Sequence, residues 1–171
     1  MTTIEAPALG AYRLEPGEST IEFVTRHFFG LAAVRGTFGL RDGVVHVVEP
    51  VETSMVRATI DAHSFHTGLA ARDNTVRSSQ YLDTARFPDI TFVANGVEDG
   101  QILRGTLTVR GRVEPLDVRI DEVRVLDQRL QLRASAEVDR YAWGVTAMKG
   151  MTGRRLRFTL SLVATRVDQR G

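Results

Sequence analysis

The chain has no cysteine, and Lys149 is the only lysine among its 22 basic residues. The first absence removes disulfides, thiolate metal sites and cysteine nucleophiles, and it fits a protein kept in a reducing compartment. The near-absence of lysine reads as GC-rich coding as readily as a chemical demand. Charge of one sign is also lacking. With 22 Lys and Arg against 21 Asp and Glu, composition supplies no global field to hold nucleic acid or an anionic membrane. No window approaches the roughly 20 apolar residues of a spanning helix. The start, MTTIEAPALGAYRLEPG, has neither the basic nor the apolar region of a secretory signal. The expectations are therefore a cytoplasmic protein with no stable membrane insertion and no nucleic-acid partner.

Motifs of catalysis are missing as well. There is no Gly-x-Ser-x-Gly elbow, His-Glu-x-x-His pair, phosphate loop or dinucleotide fingerprint. An acid–base pair of His27 and Asp73 across a barrel mouth would be the one enzymatic option, a small hydrolase or isomerase. His63 and His66 have an x-x ligand spacing, but on a regular strand they point to opposite faces, so no metal site is expected.

What is present is period-two alternation, the mark of half-buried strands. Ile21, Phe23, Thr25 and His27 share one face, as do Val56, Ala58, Ile60 and Ala62. The same pattern gives Leu103, Gly105, Leu107, Val109 and Gly111, then Leu130, Leu132, Ala134, Ala136 and Val138, then Leu156, Phe158, Leu160 and Leu162. One-sided strands of this kind want an antiparallel sheet with one apolar interior. The apolar phase flips between Ile120 and Val123, which predicts a bulge near Asp121-Glu122. Turn signals at Asp42-Gly43, Asp99-Gly100 and Asp127-Gln128 predict hairpins in up-and-down order. The expected fold is all-β, an antiparallel eight-stranded up-and-down barrel, with an open two-sheet sandwich as the alternative. At 171 residues one domain is expected over residues 11–168, after a flexible stretch over 1–10.

The segment from Thr59 to Phe92 interrupts the alternation with a short helical insertion near residues 69–82, the kind of excursion that serves as a lid or cap. Arg72 could fork onto an anionic head group while Asp73 orients it, or the pair could tie the helix to the barrel. Arg77 is spaced to pair with Asp73 on the helix surface. Phe28-Phe29-Gly30-Leu31 is an apolar loop that suits a lip touching a membrane surface or a plug. Trp143, Met148 and Met151 fit an adaptable opening or a plain loop. Small and large residues mix on the inward faces, compatible with an apolar tube or with a filled taper.

Four stretches resemble the YceI-like family of polyisoprenoid-binding, lipocalin-like barrels. YRLEPGESTIEFVTRHFFGLAAVRGTFG is similar to its opening, with Ser19, Phe23, His27, Val34, Gly36 and Phe38 in place. TGLAARDNTVRSSQYLDTARFPDITF resembles its central segment, GTLTVRGRVEPL its Gly-x-Leu-Thr strand and turn, and VDRYAWGV with RLRFTLSLVA its closing element. The likeness covers about residues 12–166. The chain departs from the family pattern at Thr75, where relatives often carry histidine, and at Trp143, where another aromatic is usual.

The resemblance implies a carrier or store for a long apolar lipid, a polyisoprenoid of quinone or polyprenyl type, rather than an enzyme. It implies no cofactor beyond such a bound lipid, a small apolar ligand as partner, and a homodimer as one option. The barrel lining would comprise Phe23, Thr25, His27, Phe38, Ile60, Phe92, Leu107, Leu132, Trp143, Phe158 and Leu160. The head group or lid would involve Arg72, Asp73, Arg77 and Tyr81. A filled barrel acting as a stress-response or interaction module remains the alternative.

Overall fold

The computed structural model of the protein describes residues 3–27 and 30–167; Phe28, Phe29 and Asp168 lie outside them. After the short strands β1 (Thr3–Ile4) and β2 (Gly10–Leu14) come β3 (Thr20–His27), β4 (Ala32–Val47) and β5 (Met55–His66). The helix α1 (Ala70–Arg77) precedes β6 (Asp89–Glu98), β7 (Ile102–Val109), β8 (Arg112–Leu126), β9 (Arg129–Asp139) and β10 (Arg155–Arg166). Each strand from β3 to β10 pairs antiparallel with the next, and β10 returns to β3. The sheet therefore closes on itself as an eight-stranded barrel without edges. Its first staff is broken: β2 pairs with the ends of β4 and β10, β3 with their other halves, and a 3-10 turn over Pro16–Glu18 joins them. Thr3 and Ile4 add parallel to β8 beside Glu122 and Val123.

Two turn expectations are corrected. Asp42-Gly43 is no hairpin but an irregularity inside the 16-residue β4, where the pairing to β5 shifts between Leu40 and Asp42. Glycine is needed there for packing: a Cβ on Gly43 would sit 2.5 Å from Leu14 Cδ1. The β4–β5 connection comes later, over 48–54, where Pro50 cannot donate to a ladder. Conversely, Gly111 is not an inward strand residue. With Arg110 at φ 51° and Gly111 at φ 72° it forms the β7–β8 turn, a geometry with two positive φ values that matches strand twist. The turns at Asp99-Gly100 and Asp127-Gln128 and the bulge between Ile120 and Glu122 stand where the sequence places them.

A second bulge matters for the site. Opposite Thr37 and Gly39, β5 places His66 and Asp61, so β5 carries three extra residues. Ser64 fills the gap, its hydroxyl accepting from the Gly39 amide at 2.6 Å and donating to the Asp61 carbonyl at 2.5 Å. The slip changes the phase, so that Ala62 and Phe65 are both buried, while His63 and His66 are both exposed rather than on opposite faces.

Candidate functional site

The barrel encloses a cavity of about 890 Å³ that runs from the α1 end to the N-terminal segment at the other end. It is large because the inward positions Ala58, Ala134 and Ala136 carry only methyl groups beside larger residues. Its middle is walled by aliphatic and aromatic side chains. Phe23, Phe38, Phe65 and Phe158 form a cluster with ring centroids 5.4 to 6.2 Å apart, within the range for favourable aromatic contact.

Phe23, Thr25, His27, Phe38, Ile60 and Phe92 are placed on this wall, and so are Leu107, Leu132, Trp143, Phe158 and Leu160. Trp143 is buried and donates its indole N–H to the Leu107 carbonyl at 2.7 Å, which fixes the ring as part of the barrel rather than of a mobile opening. Arg72 and Tyr81 also face the cavity, whereas Asp73 and Arg77 do not.

Asp73 is only 3% exposed and is committed to Thr67. Its carboxylate accepts the Thr67 amide at 3.0 and 3.1 Å and the Thr67 hydroxyl as well. Burial raises its pKa, but the hydrogen bonds from Thr67 and the nearby His66 and Arg77 charges outweigh burial and hold the carboxyl below its ordinary value. Arg77 does not act as the surface partner of Asp73. It donates to the carbonyls of His63 at 2.8 Å and Phe65 at 2.6 Å, strapping α1 to the β5 bulge. Arg72 donates through Nε to the Thr67 hydroxyl at 2.8 Å, which aims the rest of its guanidinium along the cavity wall. The Tyr81 hydroxyl meets Thr152 Oγ1 at 2.8 Å, joining the helical insertion to the β9–β10 connection.

A His27–Asp73 acid–base pair is not formed, because Asp73 is taken by Thr67 and His66. The Nδ1 of His27 accepts the Gly153 amide at 3.0 Å. Burial first, then the charges of Arg72 and Arg140, push the His27 pKa down and favour the neutral imidazole, against a hydrogen bond to the Met151 backbone. Among the described residues no group of three or more His, Asp or Glu side chains converges as a metal site, and no helix is long and apolar enough to cross a membrane.

Arg140 is the residue that sequence reading missed. It is 7% exposed, lines the cavity, and makes no ion pair among the described residues. Its guanidinium donates to the carbonyls of Gly153 at 2.8 Å, Val145 at 2.7 Å and Ala147 at 2.8 Å, with Thr152 at 3.2 Å. One side chain thereby organises the whole β9–β10 connection. The only signal in the sequence was its place in the VDRYAWGV element. Most polar groups of the cavity wall stand towards its ends, Thr25, His27, Arg72, Tyr81, Arg140 and Thr152 beside α1 and Glu5, Glu49, Glu52 and Ser54 at the other, with Arg133 of β9 between them.

A closed antiparallel barrel of eight strands around an apolar interior gives the chain a lipocalin-like architecture. The YceI-like domain matches residues 12–164, and the chain belongs to that family. A UPF0312 protein of Staphylococcus aureus (strain USA300) is 30% identical over 115 residues, covering 66% of this chain and 66% of the relative. The crystal structure of Burkholderia cenocepacia BcnA superposes with a TM-score of 0.75 at 20% identity, over 89% of this chain and 99% of that one. A polyisoprenoid-binding domain from Saccharophagus degradans, implicated in plant cell wall breakdown, gives 0.69 at 14% identity, over 94% and 100%. The YceI protein of Campylobacter jejuni gives 0.59 at 20% identity, over 81% and 88%. At these identities the structural likeness speaks for the fold.

Proposed function

We propose that the protein binds a long apolar lipid inside the barrel, of polyisoprenoid type with a quinone or prenyl-phosphate head, and carries or stores it. The observation that carries this reading is the cavity: about 890 Å³ with a mostly apolar wall and most of its polar groups towards its ends. A space of that size has room for tens of water molecules, which an apolar wall cannot hydrogen-bond. A lipid chain gains roughly 0.8 kcal/mol for each CH₂ it removes from water, so affinity comes from length with little polar recognition. Arg72 and Arg140 present cationic donors at the α1 end, where oxygens of a head group would lie. The S. degradans relative is described as polyisoprenoid-binding, which supports the ligand class for this chain.

The reading includes a binding role rather than an enzymatic one, supported by membership of the YceI-like family and by the polyisoprenoid-binding description of the S. degradans relative. The expected cytoplasmic location and the homodimer belong to the proposal, and fractionation and sedimentation test them. The ligand is tested by native mass spectrometry of freshly purified protein followed by organic extraction. A stoichiometric mass excess that extracts as an isoprenoid or long-chain lipid is expected. A bare mass that persists after challenge with quinones and polyprenyl lipids would overturn the reading in favour of an interaction module.

A further inference from the structure

The two ends of the barrel carry opposite charge. Beside α1, the connections over 67–88, 110–111 and 140–154 hold Arg72, Arg77, Arg86, Arg110, Arg140, Lys149 and Arg154 against Asp73 and Asp83. At the far end, the segments 5–9, 48–54, 99–101 and 127–128 hold Glu5, Glu49, Glu52, Asp99 and Asp127 and no basic residue, with Arg129 and Arg166 at the ends of the neighbouring strands. Local pairing trims this separation without reversing it. Arg154 is matched by Asp139 and Arg86 by Asp83, while at the far end Arg129 is matched by Glu18 of the turn within the first staff. Among the described residues Arg72, Arg110, Arg140 and Lys149 make no ion pair at one end, and Glu49, Glu52 and Asp127 make none at the other.

The α1 end is also greasy. Leu31 is 86% exposed, Met148 57%, Leu69 53% and Met151 38%, and all four lie in connections on that side. Ile4, Leu9, Val48, Val51, Met55, Leu126 and Val167 are exposed at or beside the far end, so apolar surface does not choose between the ends. Charge does. Basic residues behind an apolar rim match the interfacial arrangement in which hydrocarbon enters the head-group layer and cations meet lipid phosphates, while the acidic end would be repelled by the same surface.

We propose that the α1 end docks reversibly on an anionic lipid bilayer, with Leu31, Leu69 and Met148 entering the head-group layer, Lys149 and Arg110 against the phosphates, and the acidic end pointing into water. The cavity end bearing Arg72 and Arg140 then faces the bilayer, which is where a lipid would pass between membrane and barrel. That purpose rests on the lipid-binding reading; the docking itself does not.

The test uses delipidated full-length protein and sucrose-loaded vesicles of phosphatidylcholine, with and without phosphatidylglycerol, at about 0.05 M and about 0.5 M salt, where screening lengths differ several-fold. Sedimentation with the anionic vesicles, its loss at high salt, and little binding to neutral vesicles are expected. Lys149→Glu, which reverses one charge at the surface, is expected to weaken partition by about tenfold with an unchanged melting temperature. Because the chain lacks cysteine, L31C and V51C each accept a single polarity-sensitive fluorophore, and only the L31C probe should shift to the blue on anionic vesicles. No sedimentation at low salt, equal binding to neutral vesicles, or a shift of the V51C probe instead would overturn the docking. Vesicle binding without any retained lipid would leave the docking standing and sink the carrier reading; retained lipid without vesicle binding would do the reverse.

Discussion

His27 and Gly153 are joined by a 3.0 Å hydrogen bond across 126 residues of sequence, the imidazole Nδ1 accepting the glycine amide. The same glycine offers its carbonyl to Arg140 at 2.8 Å. The last turn of β3 and the β9–β10 connection are therefore clamped at the α1 end of the cavity, and both His27 and Arg140 owe their position on its wall to one backbone unit.

Gly153 cannot carry a side chain in this arrangement. An added Cβ would sit 1.9 Å from Thr25 Oγ1 and 2.8 Å from the Arg26 carbonyl. Gly153→Ala is expected to cost about 1–3 kcal/mol, the usual range for overpacking, in urea unfolding followed by circular dichroism. Adding Thr25→Ala should recover part of that loss, so the two changes should be less than additive.

Arg140→Met keeps much of the bulk and removes the guanidinium, leaving the Gly153, Val145 and Ala147 carbonyls without their donor. Each buried unpaired group costs roughly 1–3 kcal/mol, offset in part by the relief of burying a charge. A net loss of roughly 3 kcal/mol in chemical denaturation is expected, together with faster amide exchange over 141–153.

His27 gives stability a pH dependence of known sign. Its folded pKa lies below the ordinary value of 6.5, because burial and the Arg72 and Arg140 charges disfavour the imidazolium. Between the two values the unfolded chain binds the extra proton, so unfolding gains ground as pH falls. The contribution is whole above about pH 6.5 and is lost on descending through the folded value. Unfolding midpoints from pH 8 to pH 5 should fall over this window, and His27→Gln should flatten that part of the profile.

Ala136 lines the cavity and is only partly buried by its neighbours. Ala136→Phe is expected to cut lipid retention by more than tenfold while leaving the melting temperature unchanged or raised, since the ring fills space that is otherwise empty. Extraction and mass spectrometry of the purified variant provide the check.

Arg72→Met removes a cavity-facing cation but leaves Asp73 bound to Thr67. Competition binding should show about tenfold weaker uptake of a lipid with a quinone or phosphate head, as expected for the loss of one charge-assisted hydrogen bond. Uptake of a headless hydrocarbon of equal length should not change.

Much of the barrel was legible in the chain because strand faces repeat every two residues. Leu103, Leu107, Leu132, Ala136, Phe158 and Leu160 all face inward as the alternation requires, and the phase flip at Ile120 marked its own bulge. The β5 bulge was not legible. No period announces three extra residues, which are tolerated because Ser64 satisfies the Gly39 and Asp61 backbone groups and Arg77 the His63 and Phe65 carbonyls. That bulge hid Phe65 from the lining and placed His63 and His66 on the same side. Asp42-Gly43 misled because its composition is that of a turn, whereas its glycine serves a close approach by Leu14.

The sequence by itself determined the class of fold and the apolar character of the interior, since alternation and side-chain volume are local properties that survive any placement of the strands. Only the tertiary structure decided what lies at the ends. Arg140 reads in sequence as one arginine among many; closure of the barrel buries it among carbonyls from its own connection. The charge balance of 22 against 21 gives no direction, because composition has no axis. Once the strands run up and down, each connection between neighbouring staves must fall at one end or the other, and the near-neutral chain becomes a barrel with mostly basic connections at the α1 end and acidic ones at the far end.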